Sequence, residues 1–206
     1  MSWTVADIPD LTGKTMIVTG SNSGLGYECA LALAGKGAHV VVACRSQEKG
    51  TEALSRIRSV HRDAHLELAS LDLASLASIR SFAGQFASEH DRLDMLCNNA
   101  GVMAIPYRET ADGFEMQFGT NHLGPFALTG QLLPVLLKTS GSRVVAVSSG
   151  VHHYGRMRFD DLMGARSYST WPAYSQSKLA NLLFTFELQR RLAAAGADTI
   201  AVAAPS

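Results

Sequence analysis

Thr19-Gly20-Ser21-Asn22-Ser23-Gly24-Leu25-Gly26 is the stretch on which the fold turns. It follows a β-branched run, Thr15-Met-Ile-Val-Thr19, and leads into residues whose apolar side chains recur at helical spacing. A chain that passes from strand to helix through glycines presents main-chain N–H groups at the positive end of the helix. Without Cβ atoms in the way, a pyrophosphate can lie against them. The spacing is GxxxGxG rather than GxGxxG, so the turn by itself also fits glycines kept only for their backbone conformation.

Outward from that turn, short β-branched runs alternate with longer helical patterns. Thr15–Thr19, His39-Val-Val-Val-Ala43, Leu66-Glu-Leu-Ala69, Leu93-Asp-Met-Leu-Cys97, Arg143-Val-Val-Ala-Val147 and Thr199-Ile-Ala-Val202 read as strands. Residues 24–36, 47–60, 75–89, 112–137 and 172–195 read as helices, with a bend or break expected at Gly124-Pro125. Such alternation predicts an α/β protein: a doubly wound parallel sheet with helices on both faces, three layers in all. Ligands on sheets of this kind bind beyond the carboxyl ends of the strands, where the chemistry-bearing motifs of this chain all fall.

With 206 residues, 47% of them apolar, the chain can bury one large core, and 1–206 is read as one domain. Eighteen basic residues balance eighteen acidic ones, so no global field points to nucleic acid or to an anionic membrane. Cys29, Cys44 and Cys97 lie in apolar contexts; an odd count without CxxC spacing points to buried thiols in a reducing cytoplasm rather than disulfides or zinc. No apolar stretch approaches the roughly 20 residues of a membrane span, and Met1-Ser-Trp-Thr-Val-Ala-Asp7 lacks the basic and then apolar regions of a signal peptide. A cytoplasmic protein is expected.

The end of the second strand bears on cofactor choice. Proteins that prefer NAD place an Asp or Glu there to accept from the ribose 2′-hydroxyl. Here the chain reads Ala43-Cys44-Arg45-Ser46. A carboxylate would repel a 2′-phosphate, whereas the Arg45 guanidinium can pair with it, so NADP(H) is expected over NAD(H).

Tyr174-Ser-Gln-Ser-Lys178 puts a phenol and an ammonium one helical turn apart on one face. A free tyrosine titrates near ~10, and proton transfer around neutrality requires lowering it by roughly 3 units, or about 4 kcal/mol. An ammonium about 4 Å away supplies a stabilisation of that order at an effective dielectric of about 20. On many helices the same spacing carries no chemistry, and it acquires meaning here from the glycine turn upstream and from Ser148-Ser149 at the end of an apolar run.

Taken in order, TGxxxGxG at Thr19–Gly26, Asp72-Leu73, Asn98-Asn99-Ala100-Gly101, Asn121, Ser148-Ser149 and Tyr174-xxx-Lys178 resemble the short-chain dehydrogenase/reductases, from about Gly13 to Val202. Ala43-Cys-Arg45, Asn121-His-Leu-Gly124 and Tyr174-Ser-Gln-Ser-Lys-Leu-Ala-Asn181 are most similar to the retinol dehydrogenase and protochlorophyllide reductase branch, which mostly uses NADP(H). The resemblance implies a Rossmann fold and a catalytic set of Asn121, Ser149, Tyr174 and Lys178. Tyr174 would be the general acid or base, and Ser149 would stabilise charge on the substrate oxygen. Lys178 would hold the nicotinamide ribose, and Asn121 would position a water that relays protons to Lys178. Cofactor contacts would come from Gly20, Ser23, Gly24, Leu25, Gly26, Arg45, Asp72, Leu73, Asn99, Ala100 and Gly101, with Tyr174 and Lys178. Structural roles compete for several of these: a turn cap for Asn98 and Asn99, satisfaction of backbone groups at the bend for Asn121, and a strand-end turn for Asp72.

The sequence departs from the family pattern twice. Ser149 and Tyr174 are separated by an insertion, Val151-His-His-Tyr-Gly-Arg-Met-Arg-Phe-Asp-Asp-Leu162 within 151–173, which is expected to shape the substrate side. His152 and His153 are expected to point apart, and no metal is assigned. Secondly, relatives follow the sixth strand with a Pro-Gly turn, a covering loop and a seventh strand, whereas this sequence stops at Ala203-Ala-Pro-Ser206; a missing C-terminal part is expected. The expected activity is NADP(H)-dependent interconversion of a hydrophobic alcohol and its aldehyde or ketone by hydride transfer. The alternatives are reduction of a carbon-carbon double bond and cofactor binding without turnover. Partners expected are a small molecule, no nucleic acid, and a second or further copy of the chain: the resemblance implies a homodimer or homotetramer paired through 112–137 and 172–195, where Ala173, Ala180 and Ala193 permit close packing but would equally suit an intramolecular core.

Overall fold

A computed structural model describes residues 4–205. Strands β1 (Thr15–Thr19), β2 (His39–Cys44), β3 (Leu66–Ser70), β4 (Met95–Asn98), β5 (Arg143–Ser148) and β6 (Ile200–Pro205) form one parallel sheet in the order β3-β2-β1-β4-β5-β6. That is the strand order of a Rossmann fold, with the order reversing between β1 and β4. Connecting helices are α1 (Gly24–Ala34), α2 (Gln47–Val60), α3 (Leu76–Glu89), α4 (Met116–Phe118), α5 (Gly124–Lys138) and α6 (Thr170–Ala194).

The period-2 alternation of the strands separates two cores. Val41, Ile17, Leu96, Val144 and Ala201 are register partners in one row across the sheet, and all face α3 and α5, where Ile79, Phe82, Leu128, Leu132 and Leu136 are buried. Their neighbours Val40, Val42, Met16, Val18 and Cys97 face the other way, against Tyr27, Ala30 and Leu33 of α1 and Ala53, Leu54 and Ile57 of α2. Each of the Val, Leu, Ile, Met and Phe side chains among them contributes about 1.5–3 kcal/mol by leaving water. Helix starts are set locally: Ser46 accepts from Lys49 N at 3.3 Å and Ser75 from Ser78 N at 3.2 Å, caps each worth about 1 kcal/mol.

At the N-terminal edge, Asp94 is 7% exposed and joins two strand starts. Its Oδ2 accepts from Thr15 N at 2.9 Å, Arg92 grips it through Nε and Nη2 at 2.8 and 2.7 Å, and Lys14 Nζ lies 3.1 Å away. β4 begins at Met95, two residues later than the Leu93 start expected from the sequence, because the Leu93 N–H donates to Thr139 Oγ1 at 3.0 Å and not to a neighbouring strand.

The expected bend at Gly124-Pro125 is not where the helix departs from regularity. Gly124 and Pro125 open α5, where a missing N–H costs little, and the irregularity lies one turn earlier as a π turn over Gly119–Leu123. The thiols are free, with Cys44 and Cys97 buried and Cys29 half-buried. Among the described residues no helix is long and apolar enough to cross a membrane.

Candidate active site

The glycines of the first turn have different reasons for being glycine. Gly20 and Gly24 adopt φ +66° and +55°, in the left-handed region. At Gly26 a Cβ would run into Asn99 Nδ2 and the Gly20 carbonyl, so close packing of the turn onto the β4 end excludes a side chain. The same junction is locked by Thr19. Its Oγ1 accepts from Asn99 N and Ala100 N, both at 3.0 Å, and Asn99 Nδ2 donates to Thr19 O at 2.9 Å.

Above these strand ends runs a cleft in two connected stretches. Thr19, Gly20, Asn22, Arg45, Asp72, Leu73 and Ala100 line the first; Leu25, Asn99, Met103, Val147, Tyr174 and Lys178 line the second; Gly101 and Val102 belong to both. Arg45 is exposed one residue past β2. Asp72 is half-buried and makes the strand-end turn, its Oδ1 accepting from Ala74 N at 2.9 Å, while it also borders the cleft. Ser23 is exposed at the N-cap of α1 and makes no side-chain cap bond there.

Helix α6 delivers Tyr174 and Lys178 to the second stretch, 7% and 5% exposed. Lys178 Nζ donates to the Val147 carbonyl at 3.0 Å and lies 5.7 Å from the centre of the Tyr174 ring. Burial lowers the Lys178 ammonium to about 8. Behind this pair, Ser177 Oγ donates to Tyr174 O at 2.7 Å and accepts from Asn121 Nδ2 at 3.0 Å. Asn121 stands in the π turn, buried, and also binds both main-chain groups of Val102, accepting at 2.8 Å and donating at 2.9 Å. A Cβ on Gly101 would stand 3.0 Å from Asn121 Oδ1 and 3.8 Å from Lys178 Nζ, which places all three around one point.

Ser149 stands two residues beyond Val147, half-buried at the N-cap of a 3₁₀ turn, Gly150–Tyr154, and outside the lining of the cleft. Ser148 is buried, with its Oγ donating to the Lys178 carbonyl at 2.9 Å. His152 and His153 do not point apart, as the sequence suggested. The 3₁₀ turn brings their rings to 4.1 Å between centres, where an extended segment would have separated them. The remainder of the insertion is tied down: Tyr168 Oη donates to Ile105 O at 2.8 Å, and Gln176 holds Arg158 N and Leu162 O, both at 2.9 Å. Trp171 crosses Tyr174 edge-on at 6.2 Å and is 54% exposed, and Tyr154, Phe159 and Met103 are exposed apolar side chains in the same part of the chain or bordering the cleft.

All the cofactor residues expected from sequence except Ser23, Gly24 and Gly26 line the cleft. Sequence reasoning missed Thr19, Ser177, Val102 and Val147. The first two lie inside motifs already singled out, and a β-branched hydroxyl at a strand end was the available signal for Thr19.

A parallel sheet of this order, with a glycine turn at the crevice where the order reverses, defines a dinucleotide-binding protein. The chain belongs to the short chain dehydrogenase family, whose model matches residues 14–206. Retinol dehydrogenase 11 of Mus musculus is 50% identical over 192 residues, which is 93% of this chain and 61% of that protein. The chain thus spans about three fifths of the length of this curated relative. A crystal structure of an uncharacterised protein from Mycobacterium paratuberculosis matches with TM-score 0.89 and 49% identity, covering 98% of this chain and 71% of that one. A short chain dehydrogenase of Shigella flexneri 2a complexed with NADP matches with TM-score 0.72 and 26% identity, covering 89% and 74%.

Proposed function

We propose that the chain is the catalytic core of an NADP(H)-dependent oxidoreductase that interconverts a hydrophobic alcohol and its aldehyde or ketone. The observation that carries this reading is the Lys178 ammonium, buried beside Tyr174 in the stretch of cleft that continues, through Gly101 and Val102, to the glycine turn and Arg45. The cleft fits a dinucleotide, because a side chain at Gly20, Gly26 or Gly101 would close it or its floor. A nicotinamide bound there would supply or accept the hydride. Tyr174 would give the carbonyl oxygen its proton, or take the proton of the alcohol, and Lys178 would hold the ribose hydroxyls and favour the phenolate. Ser149 stabilises the oxygen as it gains charge, and Asn121 holds a water for Lys178 through the remaining lone pair of Oδ1. Arg45 pairs with the 2′-phosphate.

Residues 151–173, with Tyr154, Phe159 and Trp171 exposed among them, would offer apolar contact to a substrate. Retinol dehydrogenase 11 and the other retinol dehydrogenases among the relatives are consistent with a long apolar substrate. Pairing of copies through α5 and α6 is supported by the exposed Phe126, Leu183 and Phe186 on those helices. Three free thiols fit a reducing compartment such as the cytoplasm.

Fluorescence titration with NADPH and NADH, followed by oxidation of NADPH with a panel of carbonyls, retinal and enones, tests the proposal. Tight NADPH binding with turnover of carbonyls is expected; turnover of enones alone, or binding without turnover by any substrate, refutes it. Arg45→Asp is expected to weaken NADPH by about 10- to 100-fold while NADH holds or improves, the range of a charge-assisted pair. If NADH already binds the unaltered protein more tightly, the role given to Arg45 is wrong.

A further inference from the structure

At the opposite edge of the sheet from the cofactor cleft, His39, Glu67 and His90 converge from three elements that are far apart in sequence. His39 begins β2, Glu67 lies in the edge strand β3, and His90 caps the C-terminus of α3. Glu67 is the register partner of Val41, so it prolongs the row Val41, Ile17, Leu96, Val144, Ala201, in which every other position is apolar and buried. A carboxylate placed there needs a cationic partner.

His39 Nε2 lies 3.4 Å and His90 Nε2 3.1 Å from the same Glu67 oxygen, and all three donor atoms fall within 4.8 Å of one another. For ligands about 2.05 Å from a zinc ion, the edge of a coordination tetrahedron is roughly 3.3 Å. The two closest donor separations match that edge. His90 Nε2 is moreover buried and makes no hydrogen bond, in spite of its nearness to the carboxylate, while its ring is pinned by stacking on Phe86 at 4.4 Å between centres. An imidazole nitrogen held in place beside a carboxylate and a second imidazole, and not engaged in a hydrogen bond with either, is a preformed ligand set.

We propose that His39, Glu67 and His90 bind a divalent cation of the zinc class, with water completing the fourth position from the solvent side. Two imidazoles and one carboxylate suit Zn²⁺, and also Co²⁺, Ni²⁺ and Cu²⁺, rather than Mg²⁺ or Ca²⁺, which take oxygen ligands. The ion neutralises Glu67 and ties β2, β3 and the end of α3 together, a structural role remote from Tyr174. The absence of a metal expected from sequence rested on the cysteines and on His152-His153, and no local spacing joins positions 39, 67 and 90.

Isothermal titration of the whole chain with ZnCl₂, and of Glu67→Gln and His90→Gln, decides the matter. One ion per chain is expected, with affinity falling by more than about 100-fold in each variant, beyond the roughly 10- to 100-fold range seen for outer-shell ligand partners. Saturating Zn²⁺ is expected to raise the melting temperature of the unaltered chain by about 5 °C, and of neither variant. NADPH affinity of both variants stays unchanged, which reports that they fold. Co²⁺ gives a second reading independent of the variants: weak visible bands without a thiolate charge-transfer band support the site, whereas a thiolate band assigns the ion to cysteine and overturns it. Absence of one-to-one binding, or binding unaltered in both variants, overturns it equally.

Discussion

The two edges of the one sheet handle charge in opposite ways. At the N-terminal edge Asp94 is surrounded by its counterions and a main-chain donor, so that every charge serves to fasten β1 to β4. At the carboxyl edge Lys178 is buried, donates to the neutral Val147 carbonyl and lies near a phenol, and burial makes it hold its proton less firmly. The charges around Asp94 are arranged for stability, whereas those around Lys178 leave interactions open for a ligand, as expected of a site that must bind anions and move protons. The contrast predicts that substitutions at the two edges separate activity from stability.

The largest effect is expected from Tyr174→Phe. Loss of the one hydroxyl that can pass a proton lowers kcat by about 10³-fold, within the range of general acid–base contributions, while the melting temperature barely moves, since the ring still packs against Trp171. Stopped-flow or steady-state assay with the best carbonyl of the panel measures this; a decline of less than tenfold would place the proton donor elsewhere. Next in size, Asp94→Ala is expected to cost about 2–3 kcal/mol in urea unfolding by orphaning the Thr15 N–H and separating Arg92 from its partner, with kcat of the folded fraction unchanged. Burial opposes the Asp94 charge, but Arg92, Thr15 and Lys14 outweigh it and hold the carboxyl below its ordinary value. The stabilisation is therefore present above about pH 4 and lost as the pH falls through the lowered value. Equal losses of activity per folded molecule at both edges would erase the comparison.

How far the sequence could see follows the same division. Most strands and helices emerged from periodicity because burial acts on every second or every third and fourth residue, and β1 was read from Thr15 to Thr19 as found, whereas the expected helix over 112–137 begins only at Met116 and is divided by the π turn. The cofactor cleft was legible because backbone needs, such as a left-handed Gly20, leave a mark in the residue type. Two of three features were illegible because they depend on contacts between distant positions, and the third because it hangs on a local turn type that the residues do not mark. The π turn that carries Asn121 is held by Val102 and Ser177, the stacking of His152 on His153 arises from a 3₁₀ turn, and the His39, Glu67, His90 cluster is assembled only when β2, β3 and α3 pack. Proline at 125 marked the right helix but the wrong turn, since a ring that forbids an N–H fits a helix start as well as a break.

Lys178→Met sharpens the comparison most, because its two consequences have opposite signs. In the free protein the buried ammonium titrates near 8 rather than at the ordinary 10.5, so at neutral pH the folded state carries a desolvation cost of about 3 kcal/mol. Methionine fills a similar volume without charge and forfeits the bond to Val147 O, so a net gain of about 2 kcal/mol at pH 7 is expected, together with loss of turnover. The pH dependence gives the sign a second check. Between about 8 and 10.5 the unfolded chain binds the proton that the folded chain has released, so stability of the unaltered protein rises with pH across that window, and is constant with respect to this group below it. In Lys178→Met that rise disappears. Should the variant be less stable at pH 7 and keep the same slope, the ammonium is already paired in the free protein, and the carboxyl edge holds nothing in reserve.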